Sequence, residues 1–145
     1  MEKSKSKIIR EIANNLNCGE NCYYNPKTSE IITIPQTIEI DEDENFIEFF
    51  HEDIDKVKNN KADYIKIEVL ESFESFKIME HFINEVSDNN FKNRLEEILQ
   101  NRKPFRNFKY EVENSDYREA WFAFRQKEIE KIVGKILESG ETGGY

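Results

Sequence analysis

Apolar residues recur at intervals of three and four along most of this chain, which is the spacing of one buried face of an α-helix. The pattern predicts a first helix over residues 4–17, which Gly19 ends, because glycine readily adopts the left-handed conformation of a helix stop. It also predicts a helix over residues 43–59 and a final long one from Asp116 to about Glu138. Between these, three shorter helices are predicted, with the apolar stretches Phe76–Val86, Phe91–Leu99 and Phe105–Val112.

Three of these helices begin at residues that favour capping, and the cap of the helix that contains Phe91–Leu99 is Ser87 or Asp88. Ser72 precedes its helix, and a serine hydroxyl accepts hydrogen bonds from the free N–H groups of a first turn. Asp116 is followed three residues later by Glu119, which is similar to a capping box.

Other stretches have the pattern of β-strands. Residues 21–24 and 31–35 are rich in strand-forming side chains and flank the turn-forming segment NPKTSE, which predicts a hairpin. From Ala62 to Leu70, polar and apolar side chains alternate, as in a half-buried strand. We therefore expect an α+β fold, mostly helical, with an antiparallel sheet of about three strands in the N-terminal half and a helical bundle in the C-terminal half.

The length and the charge of the chain limit the number of domains and the kinds of partner that we expect. Its 145 residues fit a single domain over 1–145, with loose tails at 1–5 and 139–145. The 30 acidic residues outnumber the 21 basic ones, so the average charge repels nucleic acid, although a local basic patch could still bind it. No segment approaches the ~20 apolar residues of a membrane helix, and the charged N-terminus lacks the apolar region of a secretory signal. We expect a cytoplasmic protein that does not bind membranes.

The cysteines offer little chemistry. Cys18 and Cys22, in the segment CGENC, are the only two. A closed zinc site needs four ligands, and this spacing is one residue longer than a Cys-x-x-Cys redox motif. We expect two reduced thiols near a turn and no cofactor.

Aromatic and basic residues concentrate between Arg102 and Arg125, a stretch that contains the only tryptophan, Trp121. Together with the segments YYNPKTSE and SFESFKIMEHFINEVSD, this stretch resembles a bacterial family of short proteins known only as uncharacterised protein family 0158. The residues that match the family's F-R-x-F-K and W-x-x-F-R patterns are Phe105, Arg106, Phe108, Lys109, Trp121, Phe124 and Arg125. The resemblance implies a small cytoplasmic bacterial domain and names no activity.

The chain departs from the family pattern at three places. Ser29 stands where the family commonly has glycine in its hairpin turn, and residues 102–104 replace a glycine-containing turn. The acidic run over residues 39–55 is richer than is usual in the family. These departures bear on the shape of the loops.

The first candidate site is the basic segment that opens the aromatic stretch. Residues 92–109 contain six basic and two acidic side chains, and Arg102, Arg106 and Lys109 fall on one face of the predicted short helix. Arginine suits the bidentate capture of phosphates and carboxylates, so this face could bind an anion or a nucleic-acid backbone. Alternatively, these cations pair with acidic side chains of the same chain.

The second candidate lies on the last helix, where Trp121, Phe124 and Arg125 share one side. An exposed tryptophan beside an arginine would form a binding hot spot or a stacking platform for a base. The apolar spacing continues to Ile136, however, which favours core packing for this side. Phe122 lies off the apolar face and is the better candidate for an exposed contact, so Phe122 and Arg125 join the predicted binding residues.

A third candidate is the acidic helix on which Glu48, His51, Glu52 and Asp55 align. Such a set could hold a divalent metal, with His51, Glu48 and Asp55 as ligands. A solvated acidic face explains the same pattern, so no metal site is assigned.

No sequence motif indicates catalysis. A phosphate-binding glycine loop, a Gly-x-Ser-x-Gly elbow and a nucleophile–base pair are all missing from the sequence. The sequence favours a non-enzymatic protein-binding or adaptor domain whose partner is another protein or a second copy of the chain. Two alternatives stay open: nucleic-acid or anion binding through the Arg102–Lys109 basic helix, and a metal-dependent enzyme that uses the His51 helix.

Overall fold

The computed structural model of the chain describes residues 4–37 and 48–140. Within them, the chain forms six α-helices and a three-stranded antiparallel sheet, which confirms the α+β class and the sheet in the N-terminal half. In chain order the elements are α1 (Lys5–Asn17), β1 (Glu20–Tyr24), β2 (Ile31–Pro35), α2 (His51–Asn59), β3 (Ile65–Ile67), α3 (Ser72–Ile83), α4 (Asn89–Gln100), α5 (Pro104–Glu113) and α6 (Arg118–Ser139).

The chain divides into two compact units. The first combines residues 1–69 with residues 129–145, and the second is residues 70–128. Helix α6 therefore contributes its first half to the second unit and its second half to the first. The single domain expected from the length stays a prediction.

In the first unit, the sheet has the order β2-β1-β3, so β1 is the central strand. Successive side chains of a strand point to opposite faces, and all three central residues of β1 are buried. Tyr23 packs with Val57 of α2 in one apolar cluster. Cys22 points to the other side, where its Sγ lies 3.9 Å from the carbonyl of Ile12 in α1. The sheet is thus covered by α1 on one face and by α2 on the other.

Two turns of the first unit need a left-handed backbone. Gly19, with φ +82°, ends α1 as predicted. Ser29 in the hairpin turn has φ 65°, a conformation that glycine adopts at least cost. The Asn25 carboxamide supports the same turn by accepting hydrogen bonds from the N–H groups of Lys27 and Thr28.

The caps predicted at Ser72 and Asp116 are wrong, whereas Asp88 caps α4, since its carboxylate accepts hydrogen bonds from the N–H groups of Asn90 and Phe91. The N-cap of α3 is Glu71, whose N–H donates to the Glu74 carboxylate at 3.2 Å, and Ser72 is the first helical residue. Helix α6 begins at Arg118, and the hydroxyl that supports its start is that of Ser115, which accepts from the Tyr117 N–H at 3.1 Å. In each case, the side chain that supports the helix start is one residue earlier than predicted.

One predicted strand is shorter in the structure than in the sequence pattern. The strand expected over residues 62–70 is reduced to β3, because residues 61–63 form a turn of 3₁₀-helix. Helix α2 begins at His51, residues 48 and 49 before it are also helical, and residues 43–47 of the helix predicted over residues 43–59 lie outside the described residues. Most of the two predicted tails, residues 1–3 and 141–145, lie outside them as well.

Aromatic rings form the core of the second unit. Phe82 of α3, Phe108 of α5 and Trp121 of α6 contact one another edge to face, with ring centroids 5.1–6.5 Å apart. Phe124 joins them at 5.5 Å from Phe82. Trp121 is only 2% exposed, so the expected core packing of this residue is confirmed.

The described helices do not include one with the length and apolar composition that crossing a membrane requires.

Candidate binding surface on helix α5

Helix α5 is held to the second unit by its inner face. Pro104 is its first residue, where the missing N–H of proline costs nothing, and Lys103 before it has a left-handed backbone with φ 50°. Phe108 and Val112, one turn apart, are fully buried. Because these two anchors fix the inner face, the residues on the opposite side of the helix face solvent.

The outer face of α5 presents cations around an exposed ring. Arg106, Lys109 and Tyr110 are exposed, and Tyr110 is exposed over 68% of its surface. Together they line an open pocket of about 460 Å³, whose remaining lining residues are Asn107, Glu113 and Asn114. Arg102 is exposed just before the helix. The sequence-predicted residues Arg102, Arg106 and Lys109 therefore all reach solvent.

The charges of this face have no partner within the described part of the chain. Over residues 4–37 and 48–140, none of Arg102, Arg106 and Lys109 forms an ion pair. The ion pair of α5 in that part lies elsewhere on the helix, where Glu111 is 3.5 Å from Arg94 of α4. The alternative in which the three cations pair with acidic side chains of the chain is not observed among these residues.

The other two predicted binding residues lie on α6 and are half-buried. The Arg125 guanidinium is 5.7 Å from the ring centroid of Trp121 and 6.0 Å from that of Phe122. A second guanidinium, that of Arg118, covers the Phe122 ring at 5.2 Å. Phe122 is thus flanked by arginines instead of standing free as an exposed contact, and the sequence-predicted binding set is split between two helices.

Polar atoms near the end of α5 are buried without partners. They are Glu113 Oε2, Trp121 Nε1 and Arg125 Nε, and none of the three has a hydrogen-bond partner among the described residues. Burial lowers the pKa of Arg125, and the nearby Glu113 carboxylate opposes this shift. Glu113 is therefore coupled electrostatically to Arg125, which joins the end of α5 to α6.

The proposed metal ligands do not assemble into a site. On α2, His51 Nε2 lies 3.0 Å from Asp55 Oδ2, and both side chains are largely exposed. Across the described residues, there is no group of three or more histidine, cysteine or acidic side chains that could hold a metal ion. This part of α2, with exposed Glu48 before it, thus presents an acidic face with one ion pair.

The two cysteines are free thiols with different surroundings. Cys22 is buried, and burial followed by the nearby charge of Glu20 raises the pKa of its thiol to about 12. Its thiol is therefore protonated at neutral pH and is a poor nucleophile. Cys18 is exposed.

A polar pocket of about 330 Å³ in the first unit was not predicted from the sequence. Its centre is Glu30, which accepts hydrogen bonds from the Tyr64 hydroxyl at 2.6 Å and from Lys56 Nζ at 2.7 Å. These bonds lower the pKa of Glu30, and burial followed by the bond to Glu30 raises the pKa of Tyr64 to about 12. Because Glu30, Lys56 and Tyr64 form hydrogen bonds with one another, we interpret them as a structural link between the hairpin and α2, and we call this link the Glu30 clamp. Its members are 26 and 34 residues apart in sequence, so no local motif reveals it.

Comparison with known proteins gives one match. The model of the Uncharacterised protein family (UPF0158) matches residues 5–141. Neither the curated proteins nor the solved structures include a match to the chain.

Proposed function

The chain belongs to the Uncharacterised protein family (UPF0158), and we propose that it is a non-enzymatic protein-binding domain that recognises acidic segments of a partner protein. The proposed contact surface is the outer face of α5, formed by Arg106, Lys109 and Tyr110 with Arg102 beside them. The observation that carries the proposal is the presence of unpaired, exposed cations around an exposed tyrosine in a chain of net charge −9.

The chemistry of this face suits a carboxylate-bearing partner. Arginine and tyrosine are the residues that most often supply binding energy at protein interfaces, because they combine a large contact area with directed hydrogen bonds. Arg106 and Tyr110 are one helical turn apart and border the same pocket, so one partner side chain can contact both. The Arg106 guanidinium can hold a partner carboxylate by two hydrogen bonds while the Tyr110 ring packs against its aliphatic stem.

The charge of this face also differs between the two ends of the pocket. Arg102 and Arg106 lie toward the start of α5, while Glu113 borders the far end of the pocket. A carboxylate is attracted to the first end, whereas Glu113, which is coupled to Arg125, offers it no cation at the second. We therefore expect the bound segment to place its acidic residues near Arg106 and a neutral or basic residue near Glu113.

A cytoplasmic adaptor role fits this surface. Two free cysteines are compatible with the reducing cytoplasm, and a shallow charged helix face suits reversible binding to more than one acidic segment. These two features support our proposal that the domain acts in the bacterial cytoplasm.

The test measures binding of fluorescent acidic peptides to the full chain. The double substitution Arg106→Glu with Lys109→Glu should abolish binding, and Tyr110→Ala should weaken it about tenfold, which corresponds to about 1.4 kcal/mol. The matched control is Lys27→Glu with Lys58→Glu, which makes the same change in net charge at exposed sites in the first unit. Equal losses in the control and in the α5 variant would show that only net charge matters and would refute the proposal.

Nucleic-acid binding by the same face is the second candidate function. An exposed tyrosine between cations is the arrangement on which a single-stranded base stacks while the phosphates are neutralised. With three cations engaged, the logarithm of the affinity for a single strand should fall by about 2 for each tenfold rise in salt. If neither single-stranded nor double-stranded DNA or RNA is retarded at low salt, this candidate is excluded and the protein-binding proposal stands alone.

A further inference from the structure

An aromatic surface forms where the starts of α3 and α5 meet in the second unit. The rings of Phe76 and Phe105 contact each other edge to face, with centroids 6.2 Å apart at 76°. Phe105 is 37% exposed, and Phe73, one turn before Phe76, is 58% exposed. Clustered exposed aromatic rings are a feature of protein interfaces, because their large apolar area gains most from leaving water.

An acidic groove adjoins this aromatic surface. Phe76 lines a groove of about 310 Å³ between α3 and α4, together with the buried apolar residues Ile83 and Leu99. Glu80 and Glu96 line it as well, and both are exposed. In the part of the chain that the structure describes, neither carboxylate has an ion-pair partner. The groove thus combines an apolar floor with two uncompensated negative charges.

Two cations also adjoin the aromatic surface. Arg102 and Lys103 directly precede Pro104 and Phe105, and both are exposed. Neither forms an ion pair with the residues described. The aromatic surface therefore adjoins a negative side at the groove and a positive side at the start of α5.

We propose that two copies of the chain bind each other through this surface, about a two-fold axis near the contact between Phe76 and Phe105. A two-fold axis brings the positive side of each protomer against the negative side of the other. Arg102 and Lys103 then face Glu80 and Glu96 of the partner subunit, twice. The aromatic centre supplies the buried apolar area, and the charges at the rim set the register.

The charges of this surface are matched better by a second copy of the chain than by an unrelated partner that is uniformly acidic or uniformly basic. A basic partner would leave Arg102 and Lys103 opposed by like charge, and an acidic partner would do the same to Glu80 and Glu96. Only a partner that carries both positive and negative side chains can pair with all four of these charged residues. A second copy carries both, and two-fold symmetry sets them opposite each other. The dimer surface shares Arg102 with the proposed contact surface of α5, but it does not include Arg106, Lys109 or Tyr110, so the dimer does not depend on the proposed function.

The test is a charge exchange between two variants of the full chain. One variant carries Glu80→Lys and Glu96→Lys, and the other carries Arg102→Glu and Lys103→Glu. In each variant alone, both copies of the contact oppose like charges, so self-association should weaken at least tenfold relative to the unsubstituted chain. In an equimolar mixture, both contacts regain opposite charges, and a heterodimer should form. Sedimentation equilibrium at low salt measures all three association constants.

Substitution of an aromatic residue by serine gives a second test of the dimer, in case a charge variant does not fold. Phe73→Ser removes an exposed ring from the aromatic surface and should also weaken the dimer at least tenfold. Tyr110→Ser removes an equally exposed ring from α5 and should leave the dimer unchanged, as should the control pair Lys27→Glu and Lys58→Glu. A monomeric unsubstituted chain, a Phe73→Ser variant that dimerises normally, or a mixture of folded variants without heterodimer would each overturn the proposal.

Discussion

Lys103 and Ser29 are the non-glycine residues with a left-handed backbone in the described part of the chain. For a residue with a Cβ atom, this conformation costs about 1–2 kcal/mol, because Cβ approaches the following carbonyl oxygen. Both lie in turns where the sequence resemblance implies glycine in related chains. Lys103 also adds a second cation beside Arg102. We therefore infer that lysine occupies this strained position because of the positive charge that it brings to the start of α5.

The strain at Lys103 gives a prediction for stability. Lys103→Gly should raise the free energy of unfolding by about 0.5–1 kcal/mol, because glycine removes the left-handed cost while its greater freedom in the unfolded chain offsets part of the gain. Urea denaturation at low protein concentration measures the change. The same substitution inside α5, Lys109→Gly, should instead lower the free energy of unfolding by about 1 kcal/mol. A loss of similar size at both positions would contradict the interpretation.

Among the elements, the hairpin, helix α2 and the residue before β3 are joined by Glu30. Tyr64 is 2% exposed, and its hydroxyl and Lys56 both donate to the Glu30 carboxylate. Removing the charge of Glu30 would leave the Tyr64 hydroxyl with a weaker acceptor and Lys56 without its counter-charge. The clamp should therefore depend on the ionisation of Glu30.

The lowered pKa of Glu30 makes this contribution depend on pH. Its ionised form stabilises the folded chain above the ordinary glutamate pKa of 4.5, and the contribution is lost as the pH falls from there toward the lower folded value. Glu30→Gln should cost about 1 kcal/mol at pH 7, a figure reduced for the partial exposure of the pair, and the difference from the unsubstituted chain should vanish at acidic pH. Melting temperatures measured over an acidic-to-neutral pH series test this.

A control for the Glu30 prediction lies on the edge of the sheet. Glu68 is 3.1 Å from Lys66 and is considerably more exposed than Glu30. Glu68→Gln should therefore change the stability by less than about 0.5 kcal/mol at any pH. If Glu30→Gln shows the same small and pH-independent effect, the clamp does not act as described.

At the scale of the whole molecule, α6 is the element that the two compact units share. Its 22 residues run from Arg118 to Ser139, and the boundary between the units falls between residues 128 and 129. A helix is cooperative along its length, so unfolding one half exposes and frays the end of the other. We expect this shared helix to couple the unfolding of the two units.

Two native probes can test that coupling. Trp121 reports on the second unit through its fluorescence, since it is buried and is the only tryptophan. Cys22 reports on the first, since its buried thiol should react with a thiol reagent only on unfolding, once exposed Cys18 has been changed to serine. The two urea transitions should coincide, as for one cooperative domain. Separate midpoints would show two domains and would contradict the single domain expected from the chain length.

Local patterns in the sequence determined most of the architecture. The helical spacing of apolar residues identified α1, the helices of the second half and the burial of Trp121, because periodicity depends only on neighbouring residues. The turn residues identified the hairpin, and the aromatic and basic patterns identified the family. The predictions failed at helix starts, such as Ser72 and Asp116, because several adjacent polar side chains compete for the same free N–H groups.

Only the tertiary structure decided which charges and rings are available for binding. The sequence places Arg106 and Arg125 in similar family motifs, yet the first is exposed on α5 while the second lies over Trp121 with its Nε buried. The Glu30 clamp and the acidic groove beside Phe76 each join residues that are far apart along the chain. Helical periodicity indicates which face of a helix is apolar, but exposure and pairing depend on the neighbouring elements, which sequence spacing does not specify.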